Sequence, residues 1–256
     1  MVLQRMSRND NTVTTLWGYG EPYTHVNAKV YNSQGSLEDL IGTQVGDDGK
    51  WMVGLHKPDL VGSGYSIKIT NVNQSLIETD SISLNDVAFG DVWFCSGQSN
   101  MERGVNGVRN AAMEMETATL YEDVRLLKII RQVATEPVDE PLGFLTQWSK
   151  PELEFLSGDK PLSFSAICLF FGEQIYDEIN VPIGLIDASW GGTFIEAWSP
   201  PDALEACGVD DEGVGNGKNH NEYLWNAMIH PFLNMAIKGV LWYQGENNAG
   251  LYQQLL

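Results

Sequence analysis

No run of apolar residues in this 256-residue sequence is long enough to span a bilayer, so insertion into a membrane is not expected. Positive charge is scarce: 15 Lys and Arg stand against 34 Asp and Glu, a net charge of −19. Nucleic acid and anionic membrane surfaces need basic patches to hold them, so neither is an expected partner. Cysteine is sparser still. Cys95, Cys168 and Cys207 lie far apart with no Cys-x-x-Cys pair, so neither a zinc site nor a disulfide framework is indicated. An odd count allows at most one bridge beside one free thiol. There is no Gly-x-x-x-x-Gly-Lys-Ser/Thr loop for a nucleotide phosphate and no cluster of metal-ligating residues. No cofactor and no metal are therefore expected. Met1-Val2-Leu3-Gln4-Arg5 lacks the apolar stretch of a secretory leader.

Apolar residues make up 43% of the sequence, enough to bury the core of one large domain or two ordinary ones. Residues 1–86 read as a β-rich accessory module. Short alternating runs such as His25–Tyr31, Trp51–Leu55 and Tyr65–Ile69 are separated by glycine- and asparagine-rich turns, the spacing of a small antiparallel β-sandwich. Scaffolding is a stronger reading for it than sugar binding. Asn73-Gln74-Ser75 is a glycosylation sequon. From residue 87 onward strands alternate with helices, the pattern of an α/β domain with a parallel sheet. Strands are expected at Asp91–Phe94, Val124–Ile130, Ile183–Ile186 and Val240–Tyr243. A weak helix is expected near residues 108–120, and a strong one whose buried face holds Phe164, Ile167, Cys168, Phe171, Ile175 and Ile179. A further amphipathic helix, bent at Pro231, is expected over residues 223–238.

Three of these strands end in polar, glycine-containing turns: Ser96-Gly97-Gln98-Ser99-Asn100-Met101, Ser189-Trp190-Gly191-Gly192-Thr193 and Gln244-Gly245-Glu246-Asn247-Asn248. In open parallel sheets, reacting groups collect outside the carboxyl ends of strands. The first turn offers the Ser99 hydroxyl as a nucleophile, although Met101 replaces the second glycine of a Gly-x-Ser-x-Gly elbow. Backbone N–H groups of Ser99 and of Gly191 or Gly192, with a side-chain amide from Gln244, Asn247 or Asn248, could surround an oxyanion. Ser96 and Ser189 read as turn residues.

Taken together, Gly90-Asp91-Val92-Trp93-Phe94-Cys95-Ser96-Gly97-Gln98-Ser99-Asn100-Met101, Pro182-Ile183-Gly184-Leu185-Ile186, Ser189-Trp190-Gly191-Gly192-Thr193, Ile195-Glu196-Ala197-Trp198, Leu224-Trp225-Asn226-Ala227-Met228-Ile229-His230-Pro231 and Trp242-Tyr243-Gln244-Gly245-Glu246 resemble the sialate O-acetylesterase family of SGNH (GDSL-like) hydrolases. The resemblance covers essentially the whole chain. It implies a flavodoxin-like parallel sheet with helices on both faces, preceded by an accessory β domain. Ser99 is then the nucleophile that removes acetyl groups, chiefly 9-O-acetyl, from sialic acids without a metal. It also implies an oxyanion hole of Ser99, Gly191, Gly192 and a donor in the last motif, Gln244 or Asn247. The complete family member is expected in lysosomes or outside the cell, with a cytosolic form where a leader is missing.

Family members carry an Asp-x-x-His pair downstream, and this sequence holds none. The four histidines, His25, His56, His220 and His230, are not expected to serve as the base. A truncated, impaired chain follows as an expectation, with the sheet edge beyond Tyr243 exposed and Gly250–Leu256 the start of a helix. An acetyl-xylan or other carbohydrate esterase, and an inactive glycan-binding fragment, are the alternative readings.

Overall fold

A computed structural model describes residues 1–6, 13–55, 57–73, 75, 77–159, 161–209 and 215–249. His56, Gln74 of the sequon and the expected helix start at 250–256 lie outside these residues. The chain forms two compact units, one of Met1–Val92, Val181–Ile183 and Asn234–Lys238, the other of Trp93–Asn180, Gly184–Leu233 and Gly239–Leu256.

The first unit is built from β1 (Val2–Gln4), β2 (Thr14–Tyr19), β3 (His25–Tyr31), β4 (Leu37–Gln44), β5 (Lys50–Leu55), β6 (Gly62–Val72) and the first part of β7 (Glu78–Gly97). One sheet runs β4–β3–β6–β7, with β1 added in parallel to β7, and the antiparallel pair β2–β5 forms the second. Inward-facing positions of the strands, among them Leu16, Val26, Ala28, Val30, Trp51, Val53, Ile67 and Phe89, fill one apolar core. Neither β4 nor the start of β7 was legible in the sequence. In β4 no clean alternation exists, and Glu78–Asn85 is too polar to read as strand. Both are held by pairing: β4 by β3, and the start of β7 by β6 through registers such as Ile67↔Leu84 and Ile69↔Ile82.

In the second unit the elements are the end of β7, α1 (Ser99–Glu102), α2 (Ala111–Ala118), β8 (Val124–Ile129), β9 (Phe144–Ser149), α3 (Leu153–Ser157), α4 (Ala166–Ile179), β10 (Ile183–Ser189), α5 (Pro201–Ala206) and β11 (Gly239–Tyr243). The sheet runs β11–β7–β10–β8–β9, with β11 parallel to β7 and β9 antiparallel to β8. This is an α/β arrangement, as expected from the alternation of elements. β9 is an addition, since its half-exposed residues carry no period and only β8 defines it as a strand. Among the described residues β11 pairs only with β7, and Val240, Trp242 and Tyr243 stand exposed.

Helix α4 forms where its periodicity placed it, but rotated. Its buried residues are Ala166, Cys168, Leu169, Gly172 and Glu173, whereas Ile167 and Ile179 are exposed. The cause is contact, not hydrophobicity. Cys168 is joined to Cys95 of β7 by a disulfide, and a side chain at Gly172 would lie 2.6 Å from Leu185 of β10. A cross-link and a close approach therefore turn small residues toward the sheet. One bridge beside one free thiol is the most that three cysteines allow, and here Cys207 is the free, exposed thiol. The helix expected over 223–238 is instead a π-helical turn, Trp225–Ile229, followed by a 3-10 turn, His230–Phe232. The Asn226 carbonyl accepts the Val138 N–H at 3.1 Å, and Pro231 has no N–H to continue an α-helix.

Glu173, nine-tenths buried on α4, is raised to about 7, first by burial and then by the charges of Glu114 on α2 and Asp177 on its own helix. A carboxyl whose folded pKa lies above its unfolded value binds its proton more tightly in the fold. Its penalty is therefore absent below about pH 4.5 and grows as pH rises toward 7. Glu173→Gln is expected to stabilise the chain by about 2 kcal/mol at pH 7.5, a figure reduced for partial solvent screening, and to change nothing at pH 4.5. Thermal melts of both proteins at the two pH values check this.

Candidate active site

Three strand ends of the second unit meet around Gly97. Its φ of +135° suits glycine, and a side chain there would lie 2.1 Å from the Tyr243 carbonyl. The close approach lets Gln98 N–H donate to Tyr243 O at 2.9 Å, while Trp190 N–H donates to Gly97 O at 3.0 Å. β7, β10 and β11 thus release their loops side by side. Ser99 opens α1 immediately after the buried Gln98 and is exposed, with the helix start behind it.

Gly191 packs against the serine: a side chain on it would meet Ser99 Cα and Cβ at 3.3 Å. The third loop is tied to the first by two contacts. Asn247 N–H donates to Gln98 Oε1 at 3.3 Å, and Asn100 Nδ2 donates to Glu246. The Gln244 amide bridges the second and third loops, donating to Thr193 O at 3.3 Å and to Asn248 Oδ1 at 2.7 Å. Asn248 is buried between Ile195 N–H, at 3.0 Å, and Glu196 Oε2, at 2.8 Å. Ser99, Gly191, Gly192, Gln244 and Asn247 are thereby gathered into one locality. The Gln244 side-chain N–H groups point at Thr193 and Asn248.

The other serines have fixed partners: Ser96 Oγ donates to Ala188 O at 2.8 Å, and Ser189 Oγ to Asp187 at 2.5 Å. Of the histidines, His220 contacts Asn221 O through Nδ1 at 3.2 Å and stacks on Tyr223, and His230 contacts Val138 O at 2.9 Å. His25 belongs to the first unit. None of these three bonds to Ser99. Among the described residues no group of three His, Cys, Asp or Glu is placed to hold a metal ion.

Several residues of the site were missed in the sequence. Glu102 sits three positions after Ser99 in the same helical turn, so the spacing alone could have found it. Arg131 follows the end of β8 and forms an ion pair with Glu102, a fourth strand end that the same rule covers. Asp187, buried at the end of β10, binds Lys128 Nζ at 2.5 Å, Ser165 N–H at 3.1 Å and Ser189 N–H at 3.2 Å. Ser165 Oγ in turn donates to Met101 O at 2.6 Å, fixing the helix that carries Ser99. Buried charge in an apolar strand gives no periodic signal.

Residues 89–254, which include all of this machinery, match the family of carbohydrate esterases described as sialic acid-specific acetylesterases. The chain belongs to that family. It is 38% identical to the sialate O-acetylesterase of Homo sapiens over 97% of this chain and 47% of that protein. With the sialate O-acetylesterase of Mus musculus it shares 34% identity over 100% of this chain and 52% of the relative. The crystal structure of a carbohydrate acetylesterase from Xanthomonas citri superposes with a TM-score of 0.79 at 26% identity, covering 97% of this chain and 50% of that one. The chain thus spans about half the length of the curated relatives it matches. Among the described residues no helix is long and apolar enough to cross a membrane.

Proposed function

We propose that this chain carries the nucleophile and oxyanion-stabilising part of a sialate O-acetylesterase. The single observation behind this reading is the exposed Ser99 at a strand's carboxyl end, packed on Gly191 and flanked by the 244–248 loop. In the proposed reaction Ser99 Oγ attacks the acetyl carbonyl carbon of an O-acetylated sialic acid, the 9-O-acetyl ester above all. The new Oγ–C bond forms, the ester C–O bond breaks, and the sugar departs as an alcohol with a proton. Water then releases acetate from the serine. Backbone N–H groups of Ser99 and the Gly191-Gly192 turn, with an amide from the last loop, would each contribute roughly 3–4 kcal/mol to stabilising the oxyanion.

No described histidine reaches Ser99, which supports weak turnover by this chain: an oxyanion hole without a base retains about 10³–10⁴-fold over water. The Cys95–Cys168 bridge supports folding in the oxidising secretory route, which leads to lysosomes or the outside of the cell. A chromogenic acetate ester tests the chemistry. Turnover above buffer is expected in the chain and buffer-level turnover in Ser99→Ala. Equal rates in the two proteins would leave the glycan-binding reading in possession. Substrate class is tested by comparing 9-O-acetylated sialic acid with acetylated xylan, and equal or faster release from xylan would overturn the sialate assignment.

A further inference from the structure

The Gly191-Gly192 turn is gripped by charged side chains on both sides of one residue. Glu102 accepts the Gly191 N–H through Oε2 at 3.1 Å. It is nine-tenths buried and is held by the ion pair with Arg131. On the other side Lys218 Nζ, 5.5 Å from the centre of the Trp190 ring, donates to the Gly191 carbonyl. Asn219 completes the grip, donating to Gly192 O at 3.1 Å and accepting from Phe194 N–H at 2.9 Å.

Two consequences follow from peptide geometry. The Gly191 N–H is committed to a carboxylate, so it is not the free donor of the turn. The Gly191 C=O and the Gly192 N–H belong to one planar trans amide and point in opposite directions. A lysine that fixes the carbonyl therefore fixes the direction of the Gly192 N–H, which enters no hydrogen bond among the described residues. Gly192 is exposed, and its φ of +70° is a conformation that suits glycine, so the residue at this amide carries no side chain of its own.

We propose that Glu102 is a positioning residue. Neutralised by Arg131 and opposed by Lys218, it locks the Gly191 peptide against Ser99, and Gly192, not Gly191, supplies the backbone donor to the oxyanion. Glu102 touches no substrate. Its carboxylate acts through the glycine, and Arg131 keeps its negative charge from opposing the one that forms on the substrate oxygen. Glycine at 191 is required for the same reason, since a side chain there would lie 2.4 Å from Glu102 Oε2.

The proposal rests on the esterase reading, and its test separates the two. Steady-state hydrolysis of 4-nitrophenyl acetate is measured for the chain and for Ser99→Ala, Glu102→Ala, Glu102→Gln and Lys218→Met, each checked for a cooperative thermal melt. Glu102→Ala is expected to lower kcat about 10- to 100-fold with KM within about twofold, the signature of misplaced transition-state donors. Glu102→Gln, whose amide oxygen still accepts the Gly191 N–H, is expected to stay within about fivefold of the parent. If Glu102→Ala does not fold, Lys218→Met, which removes only the grip on the half-exposed side, is expected to lower kcat about tenfold without moving KM. An unchanged kcat in the folded Glu102 and Lys218 variants, or a change confined to KM, overturns the positioning role while leaving the esterase standing. A parent chain no faster than Ser99→Ala overturns both.

Discussion

Breaking the Cys95–Cys168 bridge is expected to cost about 4 kcal/mol of folding stability and to lower the melting temperature by roughly 10 °C. The two cysteines are 73 residues apart in sequence and 6.0 Å apart at Cα, and both are fully buried. In the chain-entropy account, a cross-link closing so long a loop removes many conformations from the unfolded state, and that loss sets the magnitude. The bridge also ties Cys168 of α4 to Cys95 of β7, so its removal loosens the hold of that helix on the sheet. Melting the chain with and without reductant, beside a Cys95→Ala/Cys168→Ala variant, provides the measurement. Identical melts in all three would mean that helix packing alone holds α4, and the compartment inferred from the bridge would lose its support.

Asp187→Ala is expected to destabilise the second unit by about 3–5 kcal/mol, because it strands a buried lysine. The Lys128 and Asp187 side chains are 3% and 0% exposed, and Nζ lies 2.5 Å from Oδ2. Taking both ions out of water costs several kcal/mol, which their attraction repays only while both are present. Replacing Lys128 by Met and Asp187 by Leu together should recover most of the loss. The remainder reflects the Ser165 and Ser189 N–H groups, which would lose their acceptor. Urea unfolding of Lys128→Met, Asp187→Leu and the double variant, beside Asp187→Ala, yields the coupling directly. A double variant no more stable than Asp187→Ala would show that the carboxylate acts through those amides and not through the lysine. Because Ser165 also holds Met101 O, and Ser189 leads into the Gly191 turn, this carboxylate connects two arms of the candidate site.

Much of this site could be read from residue order. Three glycine turns after three apolar runs pointed to a shared rim, because strand polarity in a crossover fold sends every carboxyl end the same way. What could not be read was which atoms of those turns are already engaged. Gln244 looked like an oxyanion donor by residue type, yet its amide joins Thr193 to Asn248. Gly191 and Gly192 are equivalent by residue type, yet Glu102 holds the N–H of Gly191.

Local pattern by itself indicated the strands that lead into the three glycine turns, the position of α4 along the chain, and the placing of Ser99 at a strand end. These depend on periodicity and turn chemistry between near neighbours, which the order of residues contains. Tertiary structure alone decided the strands β4 and β9, the rotation of α4, the bridge between Cys95 and Cys168, and the charged grip on Gly191. Each of these depends on partners tens of residues away, whose hydrogen bonds and close contacts outweigh the preferences of the segment itself.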